Sequence, residues 1–256
     1  MRASLYHRCV VGALIALLSV PILATLLYSF SRHWGATILP DGLTLDWYIK
    51  LWQDFRFLTA FAHSLLIAIA TLVFSTLIVV PATFVVFYYF PKLDRWMNIF
   101  ILIQFAVPPV VSSVGLLQIY ADGPVPIIGT PWVLIGCYFT IVLPFMYRAL
   151  VNGLQGLNVR DLMDAAHLLG ASTPVAFLRV ILPNIRKGLM ASLFLSFSFL
   201  LGEFVFANML VGNRYETLNV YLYSMRQTSG HLTSAIVMSY FMFTLGVTWI
   251  ATRLSR

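Results

Sequence analysis

Two places in this chain carry polar side chains that the surrounding sequence leaves isolated. The stretch 164–183, DAAHLLGASTPVAFLRVILP, holds an aspartate, a histidine, an arginine, a glycine and two prolines inside an otherwise apolar region. Glu203 is the only charge in the run GLMASLFLSFSFLLGEFVFANML. Neither place has the companions of a catalytic centre. There is no G-x-x-x-x-G-K-[ST] phosphate loop, no H-E-x-x-H helix and no G-x-S-x-G elbow. The histidines stand singly at 7, 33, 63, 167 and 231, so no metal-ligand cluster forms along the chain. His63, at the start of an apolar run, reads as a helix-interface residue. Cys9 and Cys137 lie far apart in apolar runs and read as small core or lipid-facing residues rather than a disulfide or metal site.

The elements that hold these side chains belong to a membrane protein. Of 256 residues, 60% are hydrophobic and only 10% charged, with mean hydropathy +0.89. Soluble domains carry about 25% charged residues. Aromatics at 15% suit interfacial belts of Trp and Tyr. A net charge of +7 fits cytoplasmic loops that orient the chain rather than a nucleic-acid partner.

About 20 apolar residues cross a bilayer as a helix. Six stretches qualify, approximately 9–31, 58–90, 96–120, 132–150, 188–211 and 232–251. The first exceeds the roughly 7–15 apolar residues of a signal peptide and no small-x-small cleavage site follows, so it reads as a retained span. The second is long and contains Pro81, which predicts a tilted or kinked helix. The third holds Pro108 and Pro109 near its centre. Such a break at membrane depth is tolerated only against protein or a water-filled cavity. With the N-terminus inside, eleven Lys and Arg residues fall on the cytoplasmic side and five on the other. That bias places both termini in the cytoplasm and makes 152–187 the largest cytoplasmic segment, within a single membrane domain covering 1–256.

This segment reads as two short helices around a glycine. Leu162, Ala165, Ala166 and Leu169 recur at helical spacing, and Gly170 suits a left-handed C-terminal position. Thr173 can cap a second helix with Pro174 at its first position, and Pro183 should end or kink that helix. From the residues alone, such an element is either a docking knob or an interfacial helix lying on headgroups, which Arg179, Arg186 and Lys187 would suit.

The segment resembles the E-A-A-x3-G-x9-I-x-L-P signature of permease subunits in bacterial binding-protein-dependent ABC importers. Here it runs Asp164-Ala165-Ala166, Gly170, then Val180, Ile181, Leu182 and Pro183 at the same spacing. Asp164 stands for the usual Glu and Val180 for the usual Ile. The motif falls between spans four and five, as in that family, and the resemblance extends from the first span to the last, in the spermidine/putrescine–phosphonate branch.

The resemblance implies an all-α integral membrane fold of the MetI type. Six spans would be interrupted by a cytoplasmic helix–Gly–helix coupling loop. The loop would sit in a groove of a separate ATPase subunit, so ATP and Mg would bind there and this chain would carry no cofactor and no catalytic residue. Gly170 would allow the tight turn, Ala165 and Ala166 a close approach, and Asp164 a local cap or cation pair. The implied partners are two ATPase subunits, a second and homologous permease, different rather than identical, and an extracytoplasmic solute-binding protein in the bacterial inner membrane.

A carboxylate at mid-bilayer costs about 2.5–3.5 kcal/mol on insertion scales and normally faces the bundle interior or an aqueous path. Glu203 therefore either lines a translocation path or snorkels to the nearby outer interface. The path reading is favoured, with Gly202 and Asn208 beside it and Gln104, Pro108, Pro109 and Ser112 supplying a second polar, broken surface. Polyamine permeases of this branch usually carry two acidic residues where this chain has Gly202-Glu203. The stretches SFSRHWGATILPDGLTLDWY and GPVPIIGTPWVL resemble aminoalkylphosphonate-type permeases. The expected solute is thus a phosphonate or other small oxyanion or phosphorus compound, with polyamine second. A self-sufficient secondary transporter is the rival reading. It would often show inverted repeats, and no clear repeat is present in the sequence.

Overall fold

The computed structural model describes residues 2–254 apart from 36, 38, 39 and 122. Arg256, counted above for orientation, lies outside the described residues, as do three residues of the 29–48 stretch and one between spans three and four.

The described chain is helical, with one isolated bridge between Ser31 and Leu43. Its main helices are α1 (Arg2–Phe30), α2 (Asp46–Gln53), α3 (Phe55–Tyr89), α4 (Asp94–Ala106), α5 (Pro109–Tyr120) and α6 (Pro131–Gln155). They continue with α7 (Val159–Leu168), α8 (Thr173–Leu201), α9 (Leu218–Met225) and α10 (Gly230–Leu254). By length and composition α1, α3, α6, α8 and α10 can each cross a membrane, and the bent pair α4–α5 brings the number to six.

The chain divides into two compact units. One comprises Met1–Thr59 with Tyr221–Gly246, the other Ala60–Val220 with Val247–Arg256. In the first, α1 exposes nearly its whole apolar surface, none of its most apolar window being buried. Its carboxyl end is held by polar contacts: Ser29 Oγ pairs with Tyr48 Oη at 2.7 Å, and the His231 ring stacks on Tyr28 with Nδ1 3.0 Å from the Tyr28 carbonyl.

In the second unit α6 is the central helix. Leu134, Tyr138, Val142, Met146, Tyr147 and Leu150 are buried along it. It packs against α8 at glycines: a Cβ on Gly153 would meet Ile185 at 3.3 Å, and one on Gly188 the Ala149 carbonyl at 3.5 Å. Small residues are what allow two membrane helices to approach this closely.

α3 runs as one helix through Pro81. The structure corrects two local expectations. Pro183 does not end its helix. Residues Phe177–Ile181 instead form a π turn, in which the Leu182 N–H donates to the Phe177 carbonyl, and α8 continues through Pro183 to Leu201. The wider turn shifts the hydrogen-bond register just where proline withholds a donor. The buried stripe of α7 is Val159, Met163 and Ala166, whereas Ala165 and Leu169 lie outside it.

Candidate functional site: an exposed turn and a capped helix break

The connection between α7 and α8 is a Schellman turn. Gly170 adopts φ +84°, its N–H donates to the His167 carbonyl at 2.9 Å, and the Ala171 N–H donates to Ala166 at 3.0 Å. These two bonds satisfy carbonyls left open at the end of α7, and glycine accepts the left-handed conformation without a Cβ clash. Thr173, expected to cap the second helix, is instead its first residue: Ser172 holds the cap position, and Thr173 Oγ1 lies 3.3 Å from His167 Nε2.

The turn presents apolar side chains outward. Leu168 is 90% exposed and Leu169 89%. Behind them the loop is anchored: Met163, Ala166, Ala176, Phe177 and Ile181 are buried, and the Phe177 ring meets Phe84 of α3 at 4.4 Å. Of the signature residues, Asp164, Ala165, Gly170 and Pro183 are exposed, Val180 and Leu182 are half-buried, and Ala166 is buried. Among the described residues Asp164 has no hydrogen bond or ion pair, so the local cap or cation pair expected of it does not form.

A second feature lies within the apolar spans. Pro108 forces Val107 into an extended conformation (ψ 117°), Pro109 does the same to Pro108 (ψ 140°), and α5 starts at Pro109, where a missing N–H costs nothing. The result is an 87° bend between the flanking helices. Beside it is a cavity of about 610 Å³ whose lining includes Gln104, Pro109, Ser112, Cys137, Thr140 and Phe206. Gln104 Oε1 is buried and has no hydrogen-bond partner among the described residues. Pro108, Gly202, Glu203 and Asn208 are not part of the lining.

Glu203 is engaged elsewhere. After Leu201 the helix breaks at Gly202, and Glu203 accepts hydrogen bonds from the N–H groups of Phe206 at 2.8 Å and Ala207 at 3.2 Å. The Tyr138 side chain of α6 lies beside it. The carboxylate is thus the N-terminal cap of a short helical segment, 205–211, where negative charge and open N–H groups meet. Asn219 closes the other side of the break, its Nδ2 donating to the carbonyls of Leu201 at 2.8 Å and Glu203 at 3.0 Å. At the far end of the segment the Leu210 carbonyl accepts from Gly129 N–H at 2.8 Å. Phe206, held by this joint, is the residue that reaches the cavity. Farther along, His63 stacks on Tyr215 at 3.9 Å and pairs with the Glu216 carbonyl at 3.0 Å, in the interface role expected of it. Burial raises the Tyr215 phenol above its ordinary range.

Sequence reasoning missed Tyr138 and Asn219, because each partners the break from a distant element. It also missed that both leucines before Gly170 point outward, although their place in the final turn of α7, just before a left-handed glycine, was a usable signal.

Residues 79–256 match the family of binding-protein-dependent transport system inner membrane components. The chain belongs to that family. The permease is 28% identical over 206 residues to the putative 2-aminoethylphosphonate transport system permease protein PhnV of Salmonella typhimurium, covering 80% of this chain and 77% of that one. It is 29% identical over 217 residues to the spermidine/putrescine transport system permease protein PotC of Escherichia coli K12, covering 83% and 79%. Its fold matches a chain of a bacterial ABC transporter involved in import of the acidic polysaccharide alginate, with TM-score 0.75 at 14% identity over 98% of this chain and 95% of the other. A chain of the inward-facing MetNI methionine ABC transporter matches with TM-score 0.62 at 17% identity, over 82% and 96%. The permease is therefore a multi-span component of a transport system that works with a binding protein.

Proposed function

We propose that the permease forms half of the translocation path of an ATP-driven importer and that residues 159–183 are the handle by which a separate ATPase subunit moves it. The exposed turn carries this reading. Two leucines stand almost fully exposed on a turn whose backbone is fixed by two hydrogen bonds and whose base is packed on α3. A rigid apolar tip of this kind needs a covering surface, and a groove on an ATPase is one. Asp164, with no partner of its own, is available to a cation on that subunit. ATP and Mg bind there, not on this chain. A pair of ATPases, a second and different homologous permease, and an extracytoplasmic binding protein complete the assembly. The eleven-to-five bias of basic residues supports an orientation with both termini in the cytoplasm.

The cavity beside the α4–α5 bend is this chain's share of the path, with Gln104, Pro109 and Ser112 on its wall and Pro108 shaping the bend. Gly202, Glu203 and Asn208 serve it indirectly, by building the joint that positions Phe206. The solute favoured is a small phosphonate, with a polyamine second; the names of the two relatives support both. Ligand binding to the cognate binding protein, assayed with phosphonates, polyamines and simple oxyanions, decides between them. For the handle, the test is uptake and ATP hydrolysis by the reconstituted importer carrying Gly170→Asp. Loss of uptake with hydrolysis retained is expected, and normal uptake would refute the docking role.

A further inference from the structure

Helix α2 has three faces rather than the two of an ordinary surface helix. At about 100° per residue, Trp47, Tyr48 and Leu51 share one side; Leu51 is fully buried there and Tyr48 pairs with Ser29. Asp46, Lys50 and Gln53 form an exposed polar edge. Leu45, just before the first turn, Ile49 and Trp52 form a third, apolar face, and they are 59%, 54% and 50% exposed. Phe55, the first residue of α3, adds a ring that is 81% exposed.

No single solvent suits that arrangement. In water the apolar stripe is left uncovered, at about 25 cal/mol for each Å². In hydrocarbon Asp46 and Lys50 carry the cost of buried charge. The boundary between headgroups and acyl chains satisfies both faces together. The position of α2 in the chain supplies that boundary. It lies between the carboxyl end of α1 and the start of α3, two membrane-spanning helices, and α1 exposes its apolar surface along its most hydrophobic window. The apolar stripe of α2 thus follows closely in the chain on a helix whose own apolar surface is uncovered. Lys50 and the two tryptophans are residue types that settle at headgroup level.

We propose that α2 is an interfacial anchor whose Leu45–Ile49–Trp52 face rests on phospholipid acyl chains of the leaflet at the carboxyl end of α1. The inference rests on the membrane-spanning reading above, and on the proposed orientation that leaflet is the outer one. The anchor has a mechanical consequence. Asp54, directly after α2, accepts the Arg56 N–H at 2.9 Å and the Tyr221 hydroxyl at 2.6 Å. The depth of α2 therefore sets the depth at which α3 begins and α9 is gripped.

The test uses the assembled importer in phospholipid bilayers, with Cys9 and Cys137 replaced by alanine. Nitroxides are attached in turn to Ile49→Cys, Leu45→Cys and Lys50→Cys, and their relaxation by oxygen is compared with that by a water-soluble nickel chelate. Labels at 49 and 45 should be relaxed several-fold more by oxygen than by nickel, and the label at 50 should show the reverse. Labels at 49 and 45 that favour nickel would place the face in water. Labels shielded from both agents would place it against another protein, such as the second permease or the binding protein. Either result overturns the anchor. Solute uptake by the same preparations reports on the proposed transport role separately, so the two can fail independently.

Discussion

Gly170 and Gly202 each follow a helix and each precedes a second helical stretch, yet their surroundings are opposite. Gly170 is left-handed at φ +84° and Gly202 is not, at −83°. The polar groups around Gly170 are few and local, and the large side chains beside it point outward. Around Gly202, polar groups arrive from three separate places in the chain, Tyr138, Glu203 and Asn219, and each is spent on another part of the protein. An interruption whose own backbone closes it leaves its side chains free for a partner. An interruption closed by distant side chains is an internal joint. The conspicuous charge belongs to the joint, and the featureless leucines belong to the surface available for binding.

The largest effect that would sharpen this contrast is expected from Gly170→Asp. A Cβ there meets open space, so the penalty is backbone strain of about 1–2 kcal/mol at a left-handed residue. The added charge beside the leucines should abolish uptake while membrane insertion survives, as read by proteoliposome transport and membrane fractionation. Next comes Leu168→Asp combined with Leu169→Asp. Co-purification with the ATPase should be lost while thermal stability of the permease changes by no more than about 0.5 kcal/mol per site, as for other surface substitutions. Substantial unfolding of this variant would mean that the tip is structural, and the comparison would fail.

The joint should behave in the opposite manner. Asn219→Ala leaves the carbonyls of Leu201 and Glu203 without their donor, which costs about 1–3 kcal/mol for each group left buried and unpaired. Thermal denaturation in detergent should show the loss while ATPase association is retained. The smallest expected effect is that of Glu203→Gln, which keeps one acceptor for the 205–211 segment and weakens the cap by about 0.5–2 kcal/mol. Stability should fall and the KM for solute should stay within about twofold, a shift of under 0.5 kcal/mol. A tenfold rise in KM would instead place the carboxylate in contact with the solute.

Several of these features were legible along the chain. The Gly170 turn was readable because its geometry is local: the glycine and the following Thr-Pro act within one or two helical turns. The bend at Val107 was readable for the same reason, since proline constrains its own residue and the one before it. The continuous path through Pro183 was not readable, because a π turn is one of two ways to absorb a missing donor and packing selects it. The role of Glu203 was hidden too. Its desolvation could be inferred from the flanking apolar run, but its capping bonds lie on the far side of a break that the run does not announce.

What the sequence alone determined is the all-helical, multi-span class of this protein and the closing of its α7–α8 turn, because hydropathy, backbone sterics and hydrogen bonds within one turn depend on neighbouring residues. Only the tertiary structure decided which polar side chains are used up inside and which surfaces remain open. That allocation depends on groups such as Tyr138 and Asn219 reaching Glu203 from elsewhere in the chain, and nothing in the spacing of a single segment records it.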